Sequence, residues 1–309
     1  MKKLNYNFLA LVILFGALAH PLLGQSVRET NHPELAAFHS IELGGDFALD
    51  VQYGKQYAMR LSVEELFADF VMFSVLDSTL AVTLDERRVP AEVRKLFRGK
   101  DAATPVFRVF VTMPESLRSL KLDSRAVLLS ADDLVVDPER FHLQVTENAR
   151  VASLAFGSGQ VVIEMDRKAE ASMSVTCDSL TVVQAGTSRL DITHHSQVSA
   201  FDVSGSSALD VKGETGLLKI ASKGFSKSIL NGKAPVARYK LANSSQVNAT
   251  LLETSRAFVE MSGLGSLTQA ASEELSVDLT GGATVYFLND PAIHVIYLKN
   301  ASLIPYDRK

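Results

Sequence analysis

The chain has 309 residues, 47% of them hydrophobic and 7% aromatic, and carries a formal charge of −4 at neutral pH. That mild acidity argues against nucleic acid or an anionic membrane surface as a partner. A single cysteine, Cys177, rules out an intrachain disulfide, so stability has to come from burial.

At the start, Lys2 and Lys3 precede an apolar run from Phe8 to Leu18, and Pro21 and Gly24 follow it. Residues 1–24 therefore read as a secretory signal peptide, cleaved before Gln25 or, as the alternative, after Ala19. The apolar run is too short to span a bilayer. No cysteine follows it for lipid attachment. The expectation is an exported protein (periplasmic, on the outer-membrane surface or extracellular) with no integral membrane segment in its mature part. Residues 25–37 read as a lead-in.

From 38 to 136 strand-like runs succeed one another at irregular spacing. Residues 38–43 lead through Gly44 and Gly45 into 47–51, and Tyr53 and Gly54 turn the chain into 57–63, a predicted hairpin. A second pair, 71–75 and 80–84, is expected around Asp77 and Ser78. Further strands read at 106–113, 117–122 and 126–129. Residues 85–102 break the pattern. Pro90 opens a helical spacing of Val93, Leu96 and Phe97, which predicts one short helical insertion. Arg87, Arg88, Arg94, Lys95, Arg98 and Lys100 make it the most basic stretch of the chain. It reads either as a docking helix for an acidic partner or polysaccharide, or as a solvated helix with its apolar side packed on the main body.

Between 141 and 288 one pattern returns: an apolar residue, five small or polar residues, then another strand-like run. The copies are VTENARV at 145–151, MDRKAEA at 165–171, VSGSSAL at 203–209, LANSSQV at 241–247, MSGLGSL at 261–267 and LTGGATV at 279–285. Looser copies lie at 183–190 and 220–229. Successive anchors fall roughly 18 to 21 residues apart, a period that signals a solenoid. The flanking runs alternate apolar with polar, as half-buried strands do. One repeat cannot bury its apolar face alone, whereas stacked copies make a continuous core. The leucine-rich register is absent, and without tryptophan or a period near 40 residues a propeller is excluded. The predicted fold class is all-β, a solenoid of single-stranded coils of about 20 residues. Val203, Leu241, Met261 and Leu279 are expected at equivalent inward positions. Residues 289–309 hold two more prolines and one more strand-like run, so 294–303 is expected to cap the last coil. The strands of 38–63 are expected to cap the first.

The opening FHSIELGGDFALDV at 38–51, the VFVTMP at 109–114 leading to Leu120, and the Ser-Gly motifs at 203–207 and 261–265 together resemble the putative auto-transporter adhesin head domain, the GIN domain. The resemblance covers about 38–288. It implies a right-handed β-helix-like fold in the envelope of Bacteroidetes-type bacteria, with no catalytic residues carried over. The units at 146–149 and 166–169 depart from its glycine-rich turns.

Few residues have the spacing that chemistry needs. Asp191, His194 and His195 form the densest ligand-like cluster. On a strand His194 and His195 face opposite sides, while Asp191 and His195 share a face and could hold a metal only with a third ligand from an adjacent coil. The expectation is no metal and no cofactor, with an exposed polar stretch there instead. Cys177 reads as a small buried hydrophobe. Glu164, Asp166, Asp202, Asp210, Glu260 and Asp278 could serve a polysaccharide lyase or hydrolase, yet their alternation with apolar residues is what outward-facing solubility already requires. The glycine pairs at 157–159 and 263–265 lack the lysine and helix of a phosphate loop. The sequons at Asn243, Asn248 and Asn300 read as turn chemistry. The chain is therefore expected to be a non-catalytic binding or scaffold module for a surface glycan or envelope protein. The alternatives are a carbohydrate-active enzyme and a structural protein that assembles with copies of itself through edge strands.

Overall fold

The computed structural model describes residues 26–98, 102–129 and 135–306, so the predicted signal peptide, Lys100 and the last three residues lie outside the described residues. The chain is all-β, 67% strand and 4% helix, and winds into a β-solenoid of about 10 turns with coils of about 19 residues. The solenoid and its period are as the repeat predicts.

Each regular coil gives one strand to each of two parallel ladders. Ladder I runs through Arg150–Gly157, Glu170–Thr176, the first halves of Arg189–Val203 and Ala208–Ser222, and Lys227–Lys233. It continues through Gln246–Gly263 and Ser266–Thr280 to Thr284–Leu288 and Ser302–Pro305. Ladder II runs through Arg140–Val145, Gln160–Met165, Ser179–Gln184, the second halves of the long strands and Val236–Asn243, and ends at Ala292–Lys299. The passage from ladder I to ladder II is so open that several strands cross it unbroken. The return is a tight turn, and those turns are the pentads of the repeat.

One rule governs the pentads. Their second residue holds a left-handed backbone: Glu147, Arg167, Gly205, Asn243, Gly263 and Gly281, together with Gly186 and Gly224 in the looser copies, all have φ between 59° and 94°. At Gly205 the requirement is doubled, because a Cβ there would collide with the Gly186 carbonyl oxygen of the coil before. The third residue donates its N–H to the second residue's carbonyl one coil back: Lys168 to Glu147 at 2.7 Å, Ser206 to Gly186 at 2.7 Å, Ser244 to Gly224 at 3.0 Å. The fourth residue is small and buried, as in Ala149, Ala169, Ser188, Ser207, Ser226, Ser245 and Ala283. Where it is serine, its hydroxyl donates to the carbonyl three residues back, at 2.7 Å for Ser188 to Ala185 and 2.6 Å for Ser207 to Ser204. The turns at Glu147 and Arg167 obey the same rule without glycine. Of the three sequons read as turn chemistry, Asn243 and Asn300 sit at positive φ, whereas Asn248 lies within the strand Gln246–Gly263.

The register stacks like positions into columns. Val145, Met165, Gln184, Val203, Ser222, Leu241, Met261 and Leu279 form one inward column of ladder II, and every member is buried. Its two polar members keep partners. The Gln184 amide donates to the carbonyls of Ser188 and Ala208 at 3.0 and 2.8 Å, and the Ser222 and Ser226 hydroxyls lie 2.7 Å apart.

The first coils differ from the expectation. No hairpin joins the runs at 47–51 and 57–63. Ala48–Tyr53 pairs in parallel, and Ala58–Glu64 in antiparallel, with opposite sides of Phe107–Met113, which inserts between them. Closing the long intervening loop costs only logarithmically more than closing a short one. The hairpin of Val71–Leu76 with Thr79–Leu84 does form, with Asp77 and Ser78 both at positive φ as a type I′ turn requires. The strands of 38–63 are not the outermost. The edges are Val27–His32, antiparallel on Ala58–Glu64, and Val71–Leu76. Among the described residues two short helical segments appear, where the sequence predicts one. Glu65–Phe70 is a 3-10 turn that buries Phe67, and Ala91–Leu96 sets Val93 and Phe97 on the core, with the Phe67 and Phe97 rings 5.2 Å apart. The first is only six residues, two 3-10 turns, too short for a helical period to show in the sequence. At the other end, the segment expected to cap the stack adds one more rung to each ladder.

Val203→Asp places a charge in the inward column and is expected to cost ~4 kcal/mol by desolvation. Asp202→Asn, on the exposed side of the same strand, should stay within about 0.5 kcal/mol. Urea denaturation of both variants checks the register, and equal tolerance would refute it.

Candidate functional site

Alternation along ladder II sends every second side chain outward, and the parallel register lines these up across coils. In one outward column Lys219, Arg238, Phe258 and Ser276 follow one another, and in the next Ala221, Lys240, Glu260 and Asp278. Ala221 and Ser276 are short beside taller neighbours. The result is a shallow depression of about 460 Å³, lined by these residues and by Ile296 from the last strand.

The Arg238 guanidinium carbon lies 4.8 Å from the centre of the Phe258 ring, a cation–π contact that orders it. Lys240 is paired with Glu260 at 3.0 Å, whereas Lys219 and Arg238 make no ion pair among the described residues. Strand spacing sets these two cations ~4.8 Å apart at their backbones. They can receive a carboxylate or sulfate, with Glu260 and Asp278 placed to accept from hydroxyl groups. The sequence reading singled out the acids here and not Lys219, Arg238 or Phe258. The available signal was their spacing, since positions 219, 238 and 258 are each about one coil apart.

The six carboxylates do not converge. Glu164, Asp202, Glu260 and Asp278 share one outward column, interrupted by Val183, Ala221 and Lys240. Asp166 lies in a tight turn and accepts the Arg167 N–H at 2.6 Å, and Asp210 is on ladder I beside Asp191. Only Glu260 and Asp278 are next to each other within ladder II. A glycosidase keeps one such carboxyl protonated by burial, and Glu260 is exposed and engaged by Lys240.

The histidine cluster separates as alternation requires. His195 is exposed, with Nδ1 3.9 Å from Glu214. Asp191 is exposed too, but four residues of strand put the two ~13 Å apart, and among the described residues no three His, Cys, Asp or Glu side chains form a metal-binding group. His194 turns inward into a hydroxyl network. Its Nδ1 is 3.2 Å from Ser196 Oγ and 3.4 Å from Ser199 Oγ; those two hydroxyls are 2.7 Å apart, and Ser196 donates to Thr215 at 3.2 Å. Burial, with the nearby His195 adding to it, pushes the His194 pKa down to about 4. Cys177 is buried, and burial together with Asp178 pushes its thiol up to about 11. It is an inert core residue beside a corner that His195 also lines. In the basic segment Val93 and Phe97 pack on the core while Leu96 and the described arginines Arg87, Arg88, Arg94 and Arg98 point to solvent.

The family model of the putative auto-transporter adhesin, head GIN domain, matches residues 37–291. Among solved structures, the chain is similar to a putative lipid binding protein from Parabacteroides distasonis at 12% identity and TM-score 0.48, with 92% of this chain and 98% of that chain covered. It is similar over the same shares to a putative adhesin from the same organism, at 14% identity and TM-score 0.45. A putative adhesin from Parabacteroides merdae matches at 15% identity and TM-score 0.47, again with 92% and 98% covered. Comparison with curated proteins finds no match.

The depressed His194 pKa has a consequence for stability. The side chain is neutral in the fold down to about pH 4, whereas in the unfolded chain it takes up a proton near pH 6.5. Its contribution is therefore full above pH ~6.5 and is lost as pH falls toward 4, by roughly 3 kcal/mol in all. His194→Gln should flatten the fall of unfolding free energy between pH 7 and 4.5. Parallel pH profiles for the two proteins would show that His194 is not the group responsible.

Proposed function

As the chain belongs to the family of putative auto-transporter adhesin head GIN domains, we propose that it is an exported, non-catalytic, adhesin-like binding module. Its ligand is an acidic surface glycan held on the outer face of ladder II. The observation that carries the reading is the pairing of two cations with no acidic partner among the described residues, Lys219 and Arg238, with the Phe258 ring in one depression. Lysine supplies a point charge and arginine a planar fork that suits a carboxylate. The flat ladder accepts a chain laid across several coils, so each sugar contributes a little and the length supplies the affinity. The export reading rests on the layout of residues 1–24, and among the described residues no helix is long and apolar enough to cross a membrane.

Isothermal titration with oligogalacturonate, and with neutral malto-oligosaccharide as control, tests the proposal. Binding of the acidic oligomer should weaken as salt rises. Lys219→Ala with Arg238→Ala should lower its affinity at least ~10-fold, about 1.4 kcal/mol. Lys212→Ala, on the outer face of ladder I, should leave affinity unchanged. Equal binding of the neutral sugar, or an unaffected double variant, would overturn the assignment.

A further inference from the structure

The connection between Thr79–Leu84 and Phe107–Met113 is the longest between any two strands. It holds four described arginines, Arg87, Arg88, Arg94 and Arg98, all exposed and none ion-paired among the described residues. Every other described arginine lies in a strand or in a connection of five residues or fewer. The three in such connections, Arg118, Arg125 and Arg167, are each paired with a carboxylate, of Asp137, Asp46 and Glu147 in turn. Around the four free arginines the backbone bonds are local. Arg88 donates its N–H to Asp85 at 3.1 Å, Arg94 to Pro90 at 3.1 Å and Arg98 to Lys95 at 3.2 Å. Ala91–Leu96 is a six-residue helix with no buried residue, too short to stand alone. Val89, Val93 and Phe97 hold the segment to the core.

We infer that residues 87–98 are a site of cleavage by an arginine-specific endopeptidase, and that the product is a two-chain solenoid. The inference is independent of the glycan reading. A protease takes its substrate as unpaired chain, so it cuts where local opening is least costly. Opening a ladder strand breaks rungs to its neighbours, whereas opening 90–98 gives up one short helix and the contacts of Val93 and Phe97. An arginine with no carboxylate of its own is free to enter an acidic specificity pocket, which holds the guanidinium fork. The bonds after Arg94 and Arg98 are the accessible ones. The bond after Arg88 precedes Val89, only 2% exposed, and then Pro90. The step is hydrolysis. The peptide C–N bond breaks, water gives its hydroxyl to the carbonyl carbon and its hydrogen to the nitrogen, and the new acid passes its proton to the new amine.

The two pieces stay together because their strands interleave. Ser40–Leu43 of the first piece pairs with Ser119–Leu122 of the second, and Ala48–Tyr53 lies between Phe107–Met113 and Val127–Leu128. Ile41, Leu43, Phe47, Leu49 and Val51 of the first piece are each at most 2% exposed, so parting the pieces would open the core.

Brief digestion of the folded full chain with endoproteinase Arg-C tests both parts. A denaturing gel should show two fragments, and mass spectrometry should place the cut within 87–98 or directly after Arg98. Under native conditions the digest should keep the sedimentation mass and far-ultraviolet spectrum of the uncut chain. A variant carrying Arg87→Gln, Arg88→Gln, Arg94→Gln and Arg98→Gln should lose the two-fragment pattern over the time that cuts the wild type to completion. Arg167→Gln, in a tight turn between ladder strands, should be cut as the wild type is. A first internal cut elsewhere, a folded wild-type chain that resists the protease, a folded four-arginine variant cut at the wild-type rate, or fragments that part under native conditions would each overturn the inference.

Discussion

A left-handed residue followed two places later by a small one is the constraint on which the solenoid depends. A strand cannot reverse into the next ladder within five residues unless one backbone unit takes positive φ. The coil above can then approach to hydrogen-bonding distance only if the side chain facing the axis is alanine, serine or glycine. Once both conditions hold, the third residue's N–H meets the carbonyl of the coil below, and the turn becomes part of the ladder. Glycine is the least costly way to meet the first condition but not the sole way. Glu147 and Arg167 accept a cost of about 1–2 kcal/mol each, offset by the burial of the strands they join.

Everything else follows from the register that these turns impose. Inward positions become columns, and the polar residues Gln184 and Ser222 within them find partners at the turns. The His194 network is a similar solution at the opposite corner, where the Ser196 and Ser199 hydroxyls meet Nδ1 of a buried ring and Thr215 accepts from Ser196. Outward positions become columns as well, and there the side chains are free to vary. Opposite charges on neighbouring coils pair, as Lys121 with Glu42 and Lys240 with Glu260 do. A short residue in such a column leaves relief on an otherwise level face, and the depression around Arg238 arises in this way.

The repeat was legible because each coil states it again: apolar anchor, five small or polar residues, strand. The left-handed second position and small fourth position are visible in VSGSSAL, and with the structure in view they are visible in VTENARV and MDRKAEA too. The first coils were not legible. Their pairing joins residues far apart in the chain, and nothing local in 47–63 announces that 107–113 will insert between two adjacent strands. His194 and His195 were separable by alternation alone. The site was not found because the acids, the commoner sign of sugar chemistry, alternate along strands for reasons of solubility, whereas Lys219, Arg238 and Phe258 are related only by stepping one coil at a time.

The turn rule is tested most directly by comparing the unfolding free energies of Gly205→Ala and Arg167→Gly. A methyl group at Gly205 meets both positive φ and the Gly186 carbonyl, and a loss of at least ~2 kcal/mol is predicted. Glycine at position 167 relieves the same backbone conformation and gives up only an exposed ion pair with Glu147, so the variant should be as stable as the wild type or up to ~1 kcal/mol more so. A harmless Gly205→Ala, or an Arg167→Gly variant destabilised to the same degree, would contradict the account.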